Sequence, residues 1–185
     1  MKPAPNFKQW PDAVDGIWKI ELLRWLGQQT KIDILFETGT CHGVTPRMLN
    51  QDFAEIYTIE LMPSLFESAK EQLAPFPNVK MYHGSSRTML SGILQTVPQR
   101  PILFWLDAHS SGPHTADDGD PLADELLVIM RERPDSLIVI DDMRDAELKH
   151  VVEMGVDFSG WHKEYRTGEV ILYRDGQYQI PEFEA

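Results

Sequence analysis

Five apolar runs, each followed by a segment of helical pattern, constrain this chain more than any other feature. "IDILFE" (32–37), "EIYTIE" (55–60), "VKMYH" (79–83), "ILFWLD" (102–107) and "LIVIDD" (137–142) read as strands. Their near-continuous apolar character suits a parallel sheet covered on both faces. The segments between carry helix starts: Thr45-Pro46 as N-cap and first helical residue, Asp120-Pro121 in the same roles, and Pro63 opening "SLFESAKEQL". An earlier helix, about 13–28, lines up Trp18, Leu22, Trp25 and Leu26 on one stripe, as a cover over the sheet. Near the end, "HKEYR" and "EVILYR" flank Thr167-Gly168, a two-residue hairpin signal. Five βα units followed by a hairpin, joined by right-handed crossovers, predict a doubly wound α/β sheet with an antiparallel strand near one edge. Ligands then gather at the carboxyl ends of the strands.

The 185 residues fit one domain, with 1–31 as a helical cover, 32–174 as the core and 175–185 as a tail. No apolar run approaches the roughly 20 residues of a membrane span, and "MKPAPNFKQWPD" has no apolar signal core, so a cytoplasmic protein is expected. The lone Cys41 fits a reducing compartment. With 17 Lys and Arg against 29 Asp and Glu, the net charge is −12. That balance repels phosphate backbones and leaves nucleic acid an unexpected partner. The polar stretch "HSSGPHTADDGD" (109–120), between a strand and a helix, is long enough to expect function of it.

Polar clusters stand at every predicted strand end. The first run passes into Glu37-Thr38-Gly39, and the second ends at Glu60. The third passes into Gly84-Ser85-Ser86, the fourth into Asp107-Ala108-His109, and the fifth ends at Asp141-Asp142. A phosphate-binding loop needs Gly-Lys-Ser/Thr after the turn, where His42-Gly43-Val44-Thr45 stands; a dinucleotide fingerprint needs glycine where Glu37 stands. What remains is acid-x-Gly-x-x-x-Gly. Gly39 and Gly43 allow a sharp turn and close approach to a ligand, and Glu37 can accept from an ammonium group. The plain alternative is a structural strand–helix turn. Glu60 at the second strand tip can take both hydroxyls of a ribose. Ribose and amino acid together describe S-adenosylmethionine.

"FETGTCHG", "TIE" and "HGSS" resemble the motifs of class I S-adenosylmethionine-dependent methyltransferases, over about Ile32 to Arg174. The resemblance implies a Rossmann-like, seven-stranded, mostly parallel sheet with helices on both faces and the last strand antiparallel. It implies cofactor contacts from Glu37, Gly39, Thr40, Cys41 and Gly43, from Glu60 and Leu61, from Gly84, Ser85 and Ser86, and from Asp107. Many members carry an acid after the third-strand glycine to bind the adenine amino group; Ser85 and Ser86 stand there instead, and hydroxyls accept that bond more weakly.

Asp107, Asp141 and Asp142 close adjacent predicted strands. Converging carboxylates repel unless protonated or bridged by a cation, and all-oxygen ligation suits Mg²⁺ or a similar hard ion. A metal there can lower the pKa of an acceptor hydroxyl. His109 is the best-placed base and His114 the second. This set resembles the metal-dependent O-methyltransferases of the catechol and macrocin type, although the catechol type has Asn where Asp142 stands. The alternatives are that Asp107 lines the cofactor pocket without metal, that Asp141-Asp142 cap the following helix, and that His109 is a solvated loop residue. Cys41 reads as a small packing residue rather than a nucleophile, since no base adjoins it.

The expectation is therefore an S-adenosylmethionine-dependent O-methyltransferase, with a divalent ion, acting on a small hydroxylated acceptor such as a sugar. The polar 109–120 loop closes over the substrate. A non-catalytic nucleoside- or cofactor-binding module is the rival, and a nicotinamide oxidoreductase, lacking its first glycine, a weaker one. No membrane partner is expected, and a homodimer stays open.

Overall fold

The computed structural model describes residues 17–108, 119–166 and 168–181. The chain runs α1 (Ile17–Thr30), β1 (Ile34–Thr38), α2 (Val44–Leu49), β2 (Glu55–Glu60), α3 (Pro63–Leu73), β3 (Val79–His83) and α4 (Ser86–Leu94). It continues through β4 (Leu103–Leu106), α5 (Leu122–Glu132), β5 (Leu137–Ile140), α6 (Ala146–His150), a π-helical turn (Val151–Gly155), β6 (Trp161–Tyr165) and β7 (Val170–Arg174). The seven strands lie in the order β3-β2-β1-β4-β5-β7-β6. All neighbours pair in parallel except β7, which is antiparallel to both β5 and β6. This is the expected doubly wound sheet. Strand order reverses between β1 and β4, which opens a crevice outside their carboxyl ends.

Alternation along the strands splits the core in two. Phe36, Ile59, Phe104, Ile138 and Leu172 face α4, α5 and α6. Leu35, Ile56, Trp105, Val139 and Ile171 face α1 and α2. The stripe expected on the first helix is present: Leu22, Trp25 and Leu26 are buried and Trp18 packs against them. No described helix is long and apolar enough to cross a membrane.

Local chemistry departs from expectation at several starts and ends. Thr45 does not cap α2. Gly43 sits at the cap in the left-handed region, φ 68°, and its carbonyl accepts from Arg47 N–H at 3.2 Å, so the helix is already under way at Thr45. At α5 the cap falls on Pro121, one residue later than expected, and Asp120 stands just before it with its carboxylate accepting from Leu122 N–H at 2.9 Å. Pro63 opens α3 as expected. β1 begins two residues later than the apolar run, and β4 and β5 stop just before Asp107 and Asp141, whose N–H groups still donate to Thr38 O and Leu106 O at 3.1 Å. The hairpin closes through Arg166 N–H donating to Glu169 O at 2.8 Å around residues 167 and 168; Thr167 lies outside the described residues.

Candidate functional site

Side-chain alternation puts the strand-end acids on one face. Glu37 pairs in register with Thr58 and Trp105, and Trp105 with Val139. Glu60, Asp107 and Asp141 lie two residues beyond Thr58, Trp105 and Val139, so they share the α1 face, one pleat nearer the edge. β7 brings Glu169 to the same place: Val170 pairs with Ile140, which sets Glu169 opposite Asp141.

The turn after β1 is tight because it must be. Gly39 has φ 87°, and a Cβ there would stand 2.4 Å from the Asp107 carbonyl oxygen. Its N–H donates to Ile59 O at 3.0 Å, and Thr40 N–H to the same oxygen at 3.2 Å. The loop is thus sewn to β2 while passing directly over β4. Glu60 holds its far side: one carboxylate oxygen accepts from Cys41 N–H at 2.7 Å and the other from Met62 N–H at 2.8 Å. Each oxygen keeps a lone pair for a ligand. Leu61 is half-buried beside it. Cys41 is exposed with φ 50°, so it is not a packing residue; the left-handed turn points it outward and commits its N–H to Glu60.

Glu37 lies beneath this loop, 1% exposed. Thr58 Oγ1 donates to it at 2.7 Å and Thr40 and Thr58 hydroxyls meet at 2.6 Å. Burial pushes the Glu37 carboxyl up to about 8, against the opposing pull of the Thr58 and Thr45 hydroxyls and with the help of the Asp107 and Glu60 charges. Gly84 follows β3 next to Glu60, whose carbonyl accepts its N–H at 2.9 Å. Ser85 is half-buried at the start of α4. Ser86 is buried and faces Glu125 of α5, a carboxyl pushed up to about 7 by burial despite the Ser86 and Thr38 hydroxyls. Of the two serines expected near adenine, Ser86 is turned into the opposite face of the sheet.

Asp107, Asp141 and Asp142 come together: each offers a carboxylate oxygen within 4.8 Å of the others. Asp141 is buried, Asp107 half-buried and Asp142 exposed with φ 54°. Asp142 N–H donates to Asp141 Oδ1 at 2.8 Å. Burial and the Asp141 charge push Asp107 up to about 8, and burial and the same neighbour push Glu169 up to about 8. The aspartate pair does not cap α6. Asp145 does, accepting from Glu147 and Leu148 N–H at 2.8 and 3.2 Å. Lys19 of α1 forms an ion pair with Asp141. The donor set suits a hard divalent cation, being all carboxylate oxygen. His109, His114 and the rest of 109–118 lie outside the described residues.

Sequence reading missed Lys19, Glu169, Thr58 and Glu125. Strand alternation in "EVILYR" does put Glu169 on the face of Ile171, but only the strand order sets it opposite Asp141. Nothing in the α1 pattern marks Lys19.

No protein-family model matches the chain, and no curated protein sequence matches it significantly. Solved structures do. The S-adenosylhomocysteine-bound methyltransferase PaMTH1 of Podospora anserina aligns at 14% identity with TM-score 0.67, over 92% of this chain and 84% of that one. The O-methyltransferase TomG of Streptomyces achromogenes, involved in tomaymycin synthesis and solved with S-adenosylmethionine, aligns at 17% with TM-score 0.61, over 94% and 87%. An rRNA methylase from Streptococcus thermophilus aligns at 16% with TM-score 0.56, over 85% and 94%. At these identities the likeness is one of fold. The chain has the class I S-adenosylmethionine-dependent methyltransferase fold, shared with O-methyltransferases of varied kinds and not with the catechol or macrocin type in particular.

Proposed function

We propose that this protein is an S-adenosylmethionine-dependent O-methyltransferase of the metal-assisted type, acting as one domain on a small hydroxylated molecule, of which a sugar is one example. One observation carries the reading. Glu37, Glu60, Asp107 and Asp141 stand on one face at the carboxyl ends of β1, β2, β4 and β5, around the point where strand order reverses. The crevice is acidic, and no Lys or Arg stands between Glu37 and Pro46. Such a lining favours a cationic cofactor over a phosphate-bearing one.

In this reading Glu60 orients the ribose hydroxyls, and Gly39, Thr40, Cys41 and Gly43 shape the backbone against the amino-acid end. Leu61, Gly84 and Ser85 border the adenine. Asp107, Asp141 and Asp142 would hold the divalent ion, and His109 takes the acceptor proton. Bound there, S-adenosylmethionine supplies an electrophilic methyl group, and the ion supplies positive charge that favours a deprotonated acceptor oxygen. The lone Cys41 fits a cytoplasmic setting.

Calorimetry with S-adenosylhomocysteine tests the cofactor part. Glu60→Ala is expected to weaken binding by about 1–3 kcal/mol, the worth of hydrogen bonds to a charged group; an unaltered dissociation constant places the ribose elsewhere. A methyl-transfer screen over sugars and phenols tests the rest. Activity that survives a chelator ends the metal-assisted reading, and tight cofactor binding with no turnover on any acceptor favours the binding module.

A further inference from the structure

The aspartates at the tips of β4 and β5 already have a cation beside them. Lys19 lies on the face of α1 that covers the sheet. Its Nζ lies over the Trp105 ring, 5.9 Å from the centroid, and the ammonium donates to Asp141 Oδ2. Asp141 is 1% exposed, so that bond forms largely out of water, while the Lys19 side chain keeps 28% exposure and a path to solvent. Asp107 and Asp142 also act on the same ammonium. The contact ties residue 19 to residue 141, across the whole core.

We propose that Lys19 is a resident counter-cation that competes with a divalent ion for Asp141, so that metal entry requires the lysine to leave. The inference rests on the metal-assisted reading above and adds to it the device that sets cation affinity. Asp141, whose Oδ2 receives Nζ, is also one of the three carboxylates that come within reach of a single ion. An ammonium and a divalent ion sharing one carboxylate would repel each other strongly at a protein-like dielectric. A lysine can yield: its charge sits on a flexible four-carbon stem, already 28% exposed, that can withdraw toward water. Without metal the ammonium offsets the repulsion among Asp107, Asp141 and Asp142; with metal that role passes to the ion. The N-terminal cover over the sheet thereby senses whether the site holds metal.

Mn²⁺ is the probe, with its free concentration read by electron paramagnetic resonance on protein stripped with chelator. Lys19→Met, which keeps the stem and removes the charge, is expected to bind Mn²⁺ at least about tenfold more tightly than wild type, as loss of a close competing charge pair implies. Lys19→Arg is expected to match wild type within about threefold. Binding by Lys19→Met alone, with wild type blank, also supports the proposal. Equal or weaker binding by Lys19→Met overturns it while leaving the metal site standing. No Mn²⁺ binding by any of the three proteins removes the metal site and the competition together. A second readout is thermal. Metal-free Lys19→Met should melt below wild type, because Asp141 is left buried without its cation, and saturating Mn²⁺ should raise its Tm by more than it raises that of wild type. An equal rise in both overturns the proposal. If Lys19→Met does not fold, Lys19→Gln is read by the same criteria.

Discussion

Two buried glutamates sit on opposite faces of the sheet, and burial favours the protonated form of both. Glu37 under the glycine loop and Glu125 under Thr38 and Ser86 are both carboxyls whose ordinary value of 4.5 is raised by burial, to about 8 and about 7. A folded value above the unfolded one means that the folded state holds extra protons between the two. The contribution is therefore complete below the unfolded value and is lost as pH rises through the folded one. Urea unfolding of the ligand-free protein should show stability falling from about pH 5 to about pH 8, by a few kcal/mol in order of magnitude. Glu125→Gln should lessen that fall up to about pH 7, and Glu37→Gln should lessen it across the whole interval, leaving the share of Asp107 and Glu169, which are also raised to about 8. A stability flat over the whole interval in wild type would mean that both carboxyls are hydrated.

At the scale of elements, single contacts decide how helices and strands meet. Gly39 is required where β1 passes over β4. Gly39→Ala adds a Cβ 2.4 Å from backbone at φ 87°, so the loop must shift and should cost more than 2 kcal/mol of stability or most of the cofactor affinity; wild-type values for both would show that the loop gives way freely. Arg133 ties α5 to α4. It is 3% exposed, and its guanidinium donates to the carbonyls of Leu94, Val97 and Pro98 at the end of α4. Arg133→Met leaves those carbonyls unanswered in the interior, and the expected loss in urea unfolding is about 2–4 kcal/mol. A loss below about 1 kcal/mol would mean that water replaces the guanidinium.

Across the whole molecule, charge is sorted by edge. At the amino ends of the strands the acids are partnered: Arg100 with Asp33 at 3.1 Å and Glu55 at 3.2 Å, Lys80 with Glu55 at 2.7 Å. At the carboxyl ends Glu37, Glu60, Asp107, Asp141, Asp142 and Glu169 gather, with Lys19 seated on Asp141. With a net charge of −12, the molecule should attract a cationic cofactor and repel polyanions. Affinity for S-adenosylmethionine should fall with added salt more steeply than affinity for S-adenosylhomocysteine, which lacks the sulfonium charge. Although an rRNA methylase shares the fold, structured RNA should show no binding at about 50 mM salt, where phosphate contacts are strong. RNA retained under those conditions would point to a macromolecular acceptor.

The alternation of five apolar runs with helical segments was enough to specify the sheet. Runs buried on both faces allow few other arrangements, and β2 and β3 match their runs residue for residue. Glu60, Gly39 and the three aspartates were legible because each stands where an apolar run ends, and polar residues at the carboxyl ends of parallel strands collect at one edge of the sheet. The cap of α2 was misread because Gly43 in a left-handed turn starts the helix before Thr45 can cap it. Cys41 was misread because a positive φ, which sequence does not display, turns it outward. Lys19, Glu169 and Glu125 owe their places to contacts between elements far apart in the chain. Periodicity along one segment reports which face is buried; it carries no record of which other segment covers that face. So the sequence by itself determined the layers, the direction of the strands and the edge at which chemistry gathers. The tertiary structure alone decided which acids face one another, which of them burial pushes toward the protonated form, and which lysine answers them, because those depend on distances across the sheet.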